Sequence, residues 1–199
     1  MNGAKVVNVH PLWLRLCHWI NAVAIFLMIL SGWRIYDASP LFDFSFPKQY
    51  TLGGWLGGAL QWHFAAMWLF AVNGAVYLAI NIIGGRFRRR FWPISLRQLG
   101  HDIADALRGR LAHDDPHHYN TVQKCAYLSA ICAAIVLLLS GLVLWKSVQF
   151  PLLRELLGGY EAARYIHFYA MAFVCAFLVV HVVMVALVPK TLLAMLRGR

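Results

Sequence analysis

Four stretches of the chain are apolar over the length that a bilayer demands, and no other feature of the sequence limits the fold as tightly. A hydrocarbon core about 30 Å thick takes about 20 mostly apolar residues of helix, and residues 16–36, 60–83, 125–145 and 166–188 meet that length. Lipid offers no partner to a bare N–H or C=O, so a crossing segment has to satisfy its backbone internally. The expectation is an all-α integral membrane four-helix bundle in one domain covering residues 1–199. With 61% hydrophobic and only 13% charged residues, the chain is too apolar for a soluble domain of this size.

A net charge of +10 would suggest nucleic acid in a soluble protein, so the placement of the cations decides. Lys5 and Arg15 precede the first span. Arg86, Arg88, Arg89, Arg90, Arg97, Arg108, Arg110 and Lys124 lie between the second and third, and Lys190, Arg197 and Arg199 follow the fourth. Thirteen of the 18 lysines and arginines therefore share one side, leaving Arg34, Lys48, Lys146, Arg154 and Arg164 on the other. The positive-inside rule then predicts a multi-pass protein with both termini and the central loop in the cytoplasm. The FRRRF run reads as a solvated anchor on lipid headgroups, and no nucleic-acid partner is expected. The first 15 residues hold one lysine and no small-residue cleavage site, so the first span is expected to serve as the insertion signal itself.

The loops at residues 37–58 and 146–161 carry Gly, Pro and the aromatic residues Phe42, Phe44, Phe46, Trp55 and Tyr160, a composition suited to short interfacial caps. Between the second and third spans, residues 95–111 place Ile94, Leu96, Leu99, Ile103, Ala104 and Leu107 at amphipathic helical spacing, which predicts a helix on the membrane surface. Cys17, Cys125, Cys132 and Cys175 lie in or beside the spans without CxxC, CxxCH or ferredoxin spacing. That argues against covalent c-type haem and iron–sulfur clusters, and leaves small apolar packing residues.

Four of the nine histidines, His18, His63, His167 and His181, fall inside or at the edge of the spans. An ionisable group at membrane depth is costly and points to function, with a partner to be named. His167 and His181 are 14 residues apart, so one helix presents both within roughly 40° of each other and about 21 Å apart along its axis. Chain direction places His18 and His181 at the cytoplasmic level, and His63 and His167 at the exoplasmic level. Two histidines at one depth on facing helices can supply both axial ligands of a b-type haem iron, so two couples predict two haems. Gly32 and Gly74 fall roughly on the faces of His18 and His63 at the level of the other haem. With Ser140 and Gly141 they would clear space for a macrocycle, or serve as ordinary small residues at helix contacts.

Other roles for these histidines fit less well. A zinc ion gathers its ligands within about 2.1 Å, which residues a membrane thickness apart cannot achieve. A proton relay commonly recruits intramembrane Asp or Glu, and all eight acids lie in loops or at helix ends. Satisfied structural histidines are the plain alternative. His10, His101, His113, His117 and His118 occupy polar segments, where solvation is the default, although the segment from His113 to His118 has the composition of a metal site.

The Arg15-Leu16-Cys17-His18-Trp19 opening and the spacing of His167 and His181 make the whole chain resemble the bacterial di-haem cytochrome b561 family. That group includes cytochrome b subunits of hydrogenases and formate dehydrogenases, and small cytochromes b paired with molybdopterin oxidoreductases. The resemblance implies a bacterial inner-membrane protein of a respiratory chain, moving electrons between ubiquinone or menaquinone and a periplasmic or membrane-associated redox partner. It further implies Arg15 beside a propionate of the cytoplasmic haem. The segment Tyr119-Asn120-Thr121-Val122-Gln123-Lys124 is similar to the element that opens the third helix in many members. By that likeness Asn120 contacts the quinone and His181 borders its pocket; a helix-capping Asn is the alternative. Set against the hydrogenase and formate dehydrogenase subunits, clear extended termini that would dock an iron–sulfur subunit are not expected, and in its compactness the chain resembles the small cytochromes b more.

Two functions follow from this reading. One is an electron-transfer subunit whose catalysis resides in another chain. The other is a stand-alone superoxide:quinone oxidoreductase of the same superfamily, in which Lys48, Lys146, Arg154 and Arg164 would attract the anion. A haem-free structural or transport protein is the third possibility.

Overall fold

A computed structural model describes residues 10–108 and 121–198. Its helices run in the order α1 (Leu12–Ala38), α2 (Leu56–Ile83), α3 (Arg86–Phe91), α4 (Leu96–Leu107), α5 (Thr121–Trp145), α6 (Pro151–Leu156), α7 (Tyr160–Leu187) and α8 (Pro189–Arg197). Among the described residues no strand forms. Helices α1, α2, α5 and α7 are each long and apolar enough to cross a membrane.

All four begin a turn or more before the apolar stretches that mark them. Hydropathy reports only the part immersed in hydrocarbon, whereas the helical backbone runs on into the interface through residues such as Trp13, Arg15, Tyr160 and Arg164. Long amphipathic side chains keep their polar tips in the headgroup region there.

Helix α1 packs along α2, and α5 along α7, so the bundle is two antiparallel hairpins. Their most buried positions are small: Ala24 and Ser31 on α1, Ala59 and Ala66 on α2, Ser140 and Val143 on α5, and Ala163 on α7. Lipid supplies no hydrophobic drive between helices, so small residues that let backbones approach are the means of association. Apolar side chains such as Val72, Val179, Val180 and Val182 are exposed on the outer faces, as expected of a surface wetted by acyl chains.

At one end, here the arginine end, Gly85 adopts φ 63° between α2 and α3, a left-handed conformation that suits glycine. The Arg86 guanidinium lies 5.4 Å over the Trp13 ring, and Arg89 donates to the Gly84 carbonyl at 2.7 Å. From α4, Asp102 accepts the Thr121 N–H at 2.7 Å and so caps α5. At the opposite, aromatic end, Tyr36, Phe42, Phe44, Phe46 and Phe168 form a nest, with Trp33 stacked on Phe46 at 4.6 Å. Arg164 at the start of α7 donates to the Ser39 carbonyl beyond α1 at 2.6 Å and to Glu161 at 2.9 Å.

Candidate functional site

The structure brings the four intramembrane histidines together as two couples, one towards each end. Near the aromatic end His63 of α2 faces His167 of α7, with ring centroids 6.4 Å apart and planes at 60°. Near the arginine end His18 of α1 faces His181 of α7, with centroids 6.1 Å apart and planes at 56°. Helix α7 contributes to both couples, and the first hairpin supplies one histidine to each.

Two imidazoles sharing one iron have a predictable separation. A metal–nitrogen bond of about 2.0 Å, added to a ring radius of about 1.1 Å set by C–N bonds of about 1.33 Å, places the centroids about 6.2 Å apart. Both couples match that span. Among the described residues no group of three or more His, Cys, Asp or Glu converges on a point. A zinc ion, which takes four ligands from protein and water, is therefore not what these pairs are built for. A haem needs only two axial nitrogens from the chain, since the porphyrin supplies the rest, and the donor set fits that group.

Hydrogen bonds fix which nitrogen each aromatic-end ring offers. The buried Ser31 hydroxyl donates to the Leu27 carbonyl at 2.6 Å, so towards His63 its oxygen can only accept. Nδ1 of His63 lies 3.1 Å from that oxygen and 3.1 Å from the Met28 carbonyl, a second group that can only accept. The proton must then sit on Nδ1, which leaves the Nε2 lone pair free for a metal. The second hairpin repeats the arrangement. Ser140 donates to the Val136 carbonyl at 2.6 Å, and its oxygen lies 2.9 Å from Nδ1 of His167.

A glycine follows each serine. A Cβ at Gly32 would stand 3.4 Å from Cε1 of His63, and one at Gly141 would stand 3.3 Å from Cε1 of His167. Both positions therefore border an imidazole of the aromatic-end couple, at the depth where the sequence places room for a macrocycle. Gly74 is different, for a Cβ there meets no atom within 4 Å.

The arginine-end couple is held another way. Phe177 stacks on His181 at 5.8 Å and 15°, and Trp19 meets His18 edge-on at 5.2 Å. Neither imidazole has a hydrogen bond among the described residues. The buried Asn73 amide of α2 instead grips the backbone beside His18, donating to the Cys17 carbonyl at 2.8 Å and to Asn21 Oδ1 at 2.7 Å.

Arg15 is engaged with α8: its Nε donates to the Met195 carbonyl at 3.1 Å and an Nη to that of Leu196. Asn120, like His113, His117 and His118, lies outside the described residues. His101 pairs with Asp105 at 3.2 Å on a largely exposed face of α4 and takes no part in either couple. Ser31, Asn73 and Asp102 escaped the sequence reading. For Ser31 a signal existed, because the tripeptide Leu-Ser-Gly occurs at Leu30-Ser31-Gly32 and again at Leu139-Ser140-Gly141.

Comparison with known proteins gives the family. The model of the family described as prokaryotic cytochrome b561 matches residues 9–198. A protein of Azospira oryzae, named putative protein-methionine-sulfoxide reductase subunit YedZ1, is 62% identical over 194 residues, covering 98% of each chain.

Proposed function

We propose that this chain, which belongs to the prokaryotic cytochrome b561 family, carries electrons through two b-type haems, between a membrane quinone and the catalytic subunit of an oxidoreductase. Membership implies b-type haem and electron transfer to an oxidoreductase in a bacterial membrane. The count of two, the quinone and the partner are the finer reading. The observation that carries it is the pair of histidine couples, at 6.1 and 6.4 Å, on opposite ends of one helix.

Each bound haem would supply one-electron chemistry at iron, with its potential set by axial ligands, burial and local charge. His63 and His167 would hold one, and His18 and His181 the other. The chain's own contribution is placement: Nδ1–H bonds orient the aromatic-end ligands, and the hairpins hold the rings of each couple at one depth. With the arginine end in the cytoplasm, as the cation distribution favours, a quinol would give up its protons there, beside His181 and with Asn120 as a contact. The aromatic end would face a periplasmic partner. The Azospira relative's name suggests that this partner reduces methionine sulfoxide in proteins, a two-electron step that consumes two protons and yields the thioether and water. Two successive single-electron transfers from one quinol balance it. A molybdopterin-dependent catalytic subunit suits that chemistry and the resemblance noted above.

The test begins with purified protein. Two haems per chain by pyridine haemochrome are expected, falling to one in both His63→Ala and His18→Ala. A quinol should reduce the haems, and addition of the catalytic subunit with a methionine sulfoxide peptide should reoxidise them. One haem per unsubstituted chain, or two retained after His63→Ala, would overturn the assignment.

A further inference from the structure

We infer that Ser31 and Ser140 are positioning residues that set the donor strength of His63 and His167, and so hold the potential of the aromatic-end haem below that which the same couple would otherwise give. The inference rests on the bis-histidine reading above.

The argument starts from what a fully buried hydroxyl needs. Both serines are 0% exposed, and each spends its proton on the carbonyl four residues back, at 2.6 Å. That bond satisfies the donor and leaves the oxygen lone pairs to be used. In each case one is directed at Nδ1 of a histidine on the partner helix of the same hairpin, at 3.1 Å for Ser31 and 2.9 Å for Ser140. A serine serving only as a small filler would have no reason to meet an imidazole nitrogen twice. The glycine that follows each serine borders the same ring, since a Cβ there would stand 3.4 or 3.3 Å from Cε1.

An acceptor at Nδ1–H, joined for His63 by the Met28 carbonyl, draws the proton outwards and gives the ring more imidazolate character. Such bonds raise ligand basicity. A stronger donor stabilises ferric over ferrous iron, which lowers the potential. Among the described residues His18 and His181 have no such acceptors, so the device acts on one haem and separates the two in energy.

Redox titration followed by visible spectra tests this on full-length protein with both haems bound, the aromatic-end contribution being assigned from the His63→Ala spectrum. Ser31→Ala and Ser140→Ala should each raise the ferrous-to-ferric ratio of that haem at fixed potential by about three- to tenfold, tenfold being about 59 mV for one electron. The low-spin electron paramagnetic resonance signal of the same haem should shift, and the other haem should stay put. Ser31→Thr and Ser140→Thr, which keep the hydroxyl, should restore both readouts. If an alanine variant loses the haem, the threonine variants decide: haem kept at the unsubstituted potential supports the inference, and haem lost overturns it. Unmoved potential and spectrum in both alanine variants at full haem content would also overturn it while leaving the ligand assignment intact. Full haem content after His63→Ala would instead remove the reading on which it rests.

Discussion

Asn73 of α2 donates its side-chain amide to the main-chain carbonyl of Cys17 on α1 at 2.8 Å, one residue ahead of His18. The bond crosses between helices at a buried site, and it fastens the turn from which a proposed ligand projects. Replacing Asn73 by Leu keeps the branching at Cγ but strands the Asn21 side-chain carbonyl oxygen, which should cost about 1–3 kcal/mol. Thermal unfolding in detergent is expected to show a lower midpoint. Haem should be lost from the arginine end before the aromatic end, and equal loss from both would show that Asn73 serves the bundle as a whole.

Asp102 does the work of a helix cap from a distance, since it reaches the Thr121 N–H from a separate helix. Asp102→Ala should destabilise the start of α5 by about 1 kcal/mol and speed proteolysis of the arginine-end segments. Asp102→Asn keeps an oxygen acceptor and should cleave at nearly the unsubstituted rate.

Gly74 offers a test that separates protein packing from cofactor packing. A Cβ at this position meets no protein atom within 4 Å, and replacing a helical glycine gains up to about 1 kcal/mol in helix propensity. Gly74→Leu should therefore leave the haem-free protein as stable as before or more so. Its arginine-end haem content should fall if the macrocycle lies against this face; unchanged content would place the haem elsewhere.

Arg15 is expected to secure α8. Arg15→Ala removes its bonds to the carbonyls of Met195 and Leu196, so amide exchange over residues 189–197 should accelerate while haem content is retained. A drop in arginine-end haem without faster exchange would indicate the propionate contact that the resemblance implies.

Much of the architecture could be read from the chain because a bilayer imposes so few solutions. Length and hydropathy marked four helices, and a spacing of 14 residues on one of them placed His167 and His181 on one face at two depths. Helix direction then brought His18 and His63 to matching levels. The starts of the helices were not legible, since Trp13 and Arg15 look like loop to a hydropathy count yet are helical in the interface. Ser31 was hidden for another reason. A hydroxyl in a span reads as a small residue, and only the rotational phase between α1 and α2 reveals that its free lone pair meets a histidine 32 positions later. Arg15 shows the opposite limit: a cation at the head of a span suits either an acidic group or a set of helix-end carbonyls, and the sequence cannot say which is nearer.

One continuous rod, α7, bears both His167 and His181 without a break from Tyr160 to Leu187. The gap between the two couples is thus a covalent caliper rather than an outcome of how four helices happen to settle. A thinner or thicker bilayer can lean the rod, and a docked partner can shift its neighbours, yet neither changes the fourteen-residue jaw opening. Rates that depend steeply on distance would then be insulated from the lipid composition of the cell.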